Sequence, residues 1–79
     1  MSLLDLFYAE ADRQRSATNG HAIPAAEWRS RLMRLEGIYR ELIRSPEWEL
    51  VGNEEADGLR LQLQFTRGQT LLAERRDSA

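Results

Sequence analysis

The chain contains no cysteine and no lysine, a single histidine, two prolines, and two each of tryptophan, tyrosine and phenylalanine. Each shortage removes a class of explanation. Without cysteine there is neither a disulfide nor a thiolate zinc site to support a small fold. His21 has no second histidine with which to hold a metal, and no serine stands in a recognisable nucleophile motif. The sequence therefore predicts no enzyme, no cofactor, no metal and no small-molecule ligand. No apolar run approaches the ~18 residues of a membrane span. The opening residues MSLLDLFYAEAD lack a basic stretch and carry Asp5 inside their apolar part, which does not fit a signal peptide. A soluble cytoplasmic protein is expected.

All eleven basic residues are arginine, and thirteen acids bring the net charge to −2. This balance speaks against a general nucleic-acid binder, whose domains tend to be strongly basic. Exclusive use of arginine reads as the codon bias of a GC-rich bacterial or phage genome, although arginine also suits protein interfaces. At 79 residues the chain buries little surface, so tight packing or association must supply part of its stability.

What the sequence has in quantity is helical periodicity. In residues 24–44, PAAEWRSRLMRLEGIYRELIR, the apolar positions Ala25, Trp28, Leu32, Leu35, Tyr39 and Leu42 advance by three or four residues and form one stripe. Ile38 and Ile43 widen it to the breadth of a core-facing helix. Glu27 with Arg31 and Glu36 with Arg40 have the favourable spacing of four, acid first. Pro24 suits the first helical turn, Ile23 can fold back over Trp28, and Pro46 ends the helix by disfavouring helical geometry at Ser45. Gly37 costs helix stability, and the expected return is close approach of another helix.

Before this stretch, Ser2 and Asp5 have the spacing of a capping box. Leu3, Leu4, Phe7 and Ala11 then share a face flanked by Leu6 and Tyr8. From Asp12 onward the residues are polar, so burial of the first three turns only is expected, with Asn19 and Gly20 as stop residues. A short loop through His21 makes the first two helices antiparallel neighbours.

After Pro46, Ser45 can cap a short helical start that Gly52 interrupts, and Asn53 with Glu54, Glu55 and Asp57 marks a third start running toward Arg75. Residues 59–66 support two readings. Leu59, Leu61, Leu63 and Phe65 alternate with Arg60, Gln62, Gln64 and Thr66 as in a half-buried strand, which would form a hairpin with residues 48–51. Leucine, arginine and glutamine are nevertheless good helix formers, and the run lacks valine, isoleucine and tyrosine. Helix is the preferred reading. Its apolar residues then fall into two groups on roughly opposite sides: Ala56, Leu59, Leu63 and Leu71, against Leu61, Phe65 and Leu72. A small monomer cannot bury both, and an apolar face left over is a surface for association.

Asn53, Glu55, Asp57 and Gly58 echo the start of a calcium-binding loop, but Gln64 stands where the bidentate glutamate belongs. Helix-start acids explain these residues better. Arg29, Arg40 and Arg44 align beside Met33 and could follow phosphates, although Glu36 and Glu41 dilute the charge. The prediction is an all-α domain of residues 1–75, three helices built on an antiparallel hairpin, with 76–79 as a disordered tail. The alternative is α+β, two helices followed by a β-hairpin. The expected function is non-enzymatic: a bacterial or phage accessory regulator or inhibitor that binds a larger protein, a second copy of itself, or both. The predicted contact residues are Leu61, Phe65, Leu72, Trp48, Arg29, Arg40 and Arg44. The rivals are a dimeric nucleic-acid-binding regulator and a structural subunit of a phage or secretion assembly.

Overall fold

A computed structural model of the chain describes residues 1–16 and 22–78. Asn19, Gly20 and His21 lie outside these. The described elements are α1 (Leu3–Ser16), α2 (Ala25–Arg44), a 3₁₀ helix (Pro46–Leu50) and α3 (Asn53–Ser78), with no strand among them. The fold is the small all-α arrangement. Residues 59–66 lie inside α3: Leu59 and Leu63, four apart, are both buried, and Leu61 between them faces out. No described helix is long and apolar enough to cross a membrane.

Local signals explain most element ends. The Ser2 hydroxyl accepts from the Asp5 amide at 3.1 Å, as the capping spacing predicts. The Ser45 hydroxyl accepts from the Glu47 amide at 3.2 Å and opens the 3₁₀ helix. Pro24 sits at the cap position of α2, one residue earlier than expected, and Asn53 is the first residue of α3, with the Gly52 carbonyl accepting from the Ala56 amide. Two caps come from distant residues and have no local signature. The Glu47 carboxylate accepts from the Leu3 and Leu4 amides at the start of α1. Asp77 accepts from the Ala25 amide at 2.8 Å at the start of α2. The hydrogen bond from the Ala25 amide, and after it the one from Arg76, hold the Asp77 carboxyl below the usual carboxylate range.

α2 packs against both other helices. Contacts of Gln14 with Arg31 and of Phe7 with Tyr39 run α1 antiparallel to it, and contacts of Asp77 with Ala25 and of Arg67 with Glu36 do the same for α3. One end holds the main core, Phe7, Leu35, Leu42, Leu59 and Leu63, closed at its edge by Tyr39, Trp48 and Val51. At the other end Ile23, Trp28 and Ala73 form a smaller cluster in which Ile23 is the expected staple on Trp28.

Between α1 and α2 the seam becomes polar. Gln14 donates to Glu10 at 2.9 Å and to the Arg31 carbonyl at 3.1 Å, while Arg31 donates to the Gln14 carbonyl and lies over the Trp28 ring. Arg13 and Arg34 also pair with Glu10. Glu10, Gln14 and Arg31 are all buried, so burial of α1 continues past its third turn. These groups are tolerated inside because each finds a partner. Burial alone would raise the Glu10 carboxyl, but the bonds from Gln14, Arg13 and Arg34 together outweigh it and hold the group below its usual value.

Several expectations change. Ile43 is exposed and Leu71 is outside the core. The Glu36 carboxylate pairs with Arg67 at 2.8 Å, and the nearby Arg40 guanidinium reaches the Glu36 carbonyl instead. Residues 76–78, expected in a tail, continue α3, where Arg76 donates to the Ile23 carbonyl. A methyl group at Gly37 would meet nothing within 4 Å, so no helix approaches there.

Gly37→Ala should therefore stabilise the fold by ~0.5–1 kcal/mol, raising the midpoint of thermal unfolding by roughly 2–8 °C. Because the folded pKa of Glu10 is depressed, its contribution is present above the unfolded value of about 4.3 and is lost as pH falls through the folded value. Glu10→Gln should flatten the dependence of stability on pH below that point, as read by denaturant unfolding across an acid series.

Candidate protein-interaction surface

α3 is 26 residues long and supplies the core from one side only. Its buried positions are Ala56, Leu59, Leu63, Thr66, Thr70 and Ala73, an unbroken run of three- and four-residue steps. Thr66 and Thr70 fit this seam because their hydroxyls are satisfied locally: Thr66 donates to the Gln62 carbonyl at 3.1 Å and Thr70 to the Thr66 carbonyl at 2.8 Å. The Thr70 hydroxyl also lies 3.3 Å from the Trp28 carbonyl across the helix pair.

At about 100° per residue, the positions 61, 65, 68 and 72 fall on the side of α3 opposite this seam. They are Leu61, Phe65, Gly68 and Leu72, with Leu71 at the margin. Leu61 is 64% exposed, Phe65 57%, Leu71 57% and Leu72 59%. A methyl group built on Gly68 would meet nothing within 4 Å. The Phe65 ring also borders an open hollow of ≈ 370 Å³ that is lined by Gln14, Trp28, Arg31, Gln62 and Thr66 among others. The outcome is an apolar stripe, interrupted by one glycine, with a hollow along one edge.

Charged residues bracket the stripe. Near its N-terminal end Glu55 accepts from the Tyr8 hydroxyl at 2.8 Å and Asp57 pairs with Arg60 at 3.0 Å. Burial first, and then the Glu55 carboxylate, push the Tyr8 phenol up. The residues that echoed a calcium loop are thus helical, with Glu55 and Asp57 already engaged, and the described residues hold no group of three potential metal ligands. Glu54 at one end and Arg75 at the other are exposed and make no ion pair among the described residues.

The predicted contact residues are not gathered into one place. Leu61, Phe65 and Leu72 share the outer face of α3. Trp48 is half-buried, with its ring edge-to-face against Tyr39 at 5.9 Å, and borders a separate shallow groove with Ile43, Arg44, Pro46 and Glu49. Arg29 is joined to Glu74 of α3, which neutralises one end of the proposed arginine stripe, while Arg40 and Arg44 are exposed farther along α2. Sequence reasoning placed Leu71 with Ala56, Leu59 and Leu63, whereas it belongs to the outer margin, and it missed Gly68, which stands in register with the stripe. The four-residue steps from Leu61 to Phe65 and from Gly68 to Leu72 were the available signal. Leu50, 87% exposed in the 3₁₀ helix, was also missed and belongs to neither group.

Because this face lies outside the core, Leu72→Arg should leave helix content in circular dichroism unchanged and the unfolding free energy of the single chain within roughly ±0.5 kcal/mol of wild type, as surface changes do, whereas Leu63→Arg should unfold the chain. Compared with family models, with curated proteins and with solved structures, the chain matches none.

Proposed function

We propose that this protein is a non-enzymatic association module whose working surface is the outer face of α3. The supporting observation is the exposure of Leu61, Phe65, Leu71 and Leu72 on a helix whose opposite face forms the core. Full burial of such side chains contributes about 1.5–3 kcal/mol each. Four of them, more than half exposed, leave roughly 4–7 kcal/mol of burial to be gained on contact. A single exposed leucine is ordinary, but a row of them along one helix face is the pattern of an interaction site. Together with the composition, this supports an accessory regulator or inhibitor of bacterial or phage type that acts by occupying protein surface.

The arginines are a secondary surface in this reading. Arg29 is neutralised by Glu74, which leaves too little free charge aligned on α2 for phosphate contacts to dominate binding. Association through α3 should accordingly weaken only modestly with added salt, as charge pairs at its margin are screened, and not with the steep slope of phosphate binding.

Phe65→Asp places a charge in the middle of the face. The expected outcome is loss of association, followed by chemical cross-linking and by mass in solution, with helix content retained in circular dichroism and the thermal midpoint lowered only by the stabilisation that association supplied. Loss of helix content in this variant would put Phe65 inside the fold and remove the reading.

A further inference from the structure

The occupant of the α3 face can be specified from its own pattern. Leu61, Phe65, Gly68 and Leu72 are separated by four, three and four residues, a spacing that reads the same in both directions along the helix. When a second α3 is laid antiparallel, Leu61 stands opposite the second copy's Leu72, and Phe65 opposite its Gly68. A two-fold axis between Thr66 and Arg67 relates both pairs. Gly68 has open space above its Cα, so the bulkiest residue of the stripe meets the position with no side chain, twice over. Gln64 and Leu71 face each other across the same axis. Such self-complementarity is the requirement of a two-fold interface.

The charges agree with the same direction. α3 begins with Glu54 and Glu55, followed by Asp57, and ends with Arg75 and Arg76 in its last turn. Antiparallel pairing brings each acidic start beside the second copy's basic end, and the opposed helix dipoles are matched as well. Parallel pairing would place acid on acid and arginine on arginine. Glu54 and Arg75, which lack ion-pair partners among the described residues, stand at the two ends where this pairing would engage them.

Building on the proposed association surface, we infer that a second copy of this chain occupies the outer face of α3, forming an antiparallel α3–α3 dimer in which Phe65 of each chain seats over Gly68 of the other. The absence of cysteine makes a direct test possible. Leu61 and Leu72 lie about 16 Å apart along α3, far beyond the reach of a disulfide. Leu61→Cys chains alone and Leu72→Cys chains alone should therefore give no disulfide dimer under mild oxidation. An equal mixture of the two should give one readily. The same samples, before oxidation, should show twice the chain mass by light scattering behind a sizing column across a concentration series.

Charge reversal gives a second reading. Glu54→Arg or Arg75→Glu should each weaken the dimer by roughly tenfold, and the double variant should recover most of the loss. Cross-linking of Leu61→Cys with itself would overturn the antiparallel arrangement. A wild-type chain that is monomeric at every concentration would overturn self-pairing while Phe65→Asp still folds, leaving the face to a different protein. A Phe65→Asp chain that unfolds would overturn both this inference and the proposed function on which it rests.

Discussion

Leu35 and Leu42 of α2 are wholly removed from solvent because α1, α3 and the 3₁₀ helix close over them together. Neither flanking helix could bury that stripe alone. α1 brings Phe7, α3 brings Leu59 and Leu63, and Trp48 leans on Tyr39 to seal the edge. The placement of the other helices follows from this demand. α2 has the broad, regular apolar face and the strongest amphipathic pattern, and α1 and α3 are positioned by what they can cover of it.

The two ends of the molecule meet the demand differently. Where three helices overlap, leucine and aromatic side chains fill the interior in the ordinary way. Beyond the main core, α2 and α3 are held by smaller means: threonines whose hydroxyls bond within their own helix, Ala73 beneath Trp28, and the pairings of Arg29 with Glu74 and Asp77 with the Ala25 amide. Residues with small side chains let the two backbones approach, and charged groups at the margin fix their register. The Glu10, Gln14 and Arg31 network plays a comparable part between α1 and α2, where buried polarity is acceptable only because every member is bonded.

The same geometry explains why α3 has a surplus. A helix that packs on neighbours from one side has an outer side that need contribute nothing to the fold, and on most small domains that side is polar. Here it carries leucine and phenylalanine instead. The interior is complete without them, and the proposed function assigns them to association and not to folding. The spacing of these residues, with a glycine in register among them, also limits what kind of helix can lie against them.

Much of this was legible in the residues because it depends on local periodicity and local hydrogen bonding. The stripe of α2, the Ser2 and Ser45 caps, the break at Gly52 and the division of α3 into two apolar groups all follow from spacing alone. Even the strand-like alternation of residues 59–66 yielded to helix propensity. Tertiary structure decided what depends on distant partners. Glu47 and Asp77 cap helices more than forty residues away in sequence. Thr66 and Thr70 took the seam that leucine composition assigned partly to Leu71, because a small side chain fits between close helices and its hydroxyl can be satisfied without leaving the helix. Gly37, whose cost suggested a close crossing, faces open space. Periodicity determines which residues share a face, whereas the arrangement of neighbouring helices determines which face is covered, and only the second identifies the surface available to a partner.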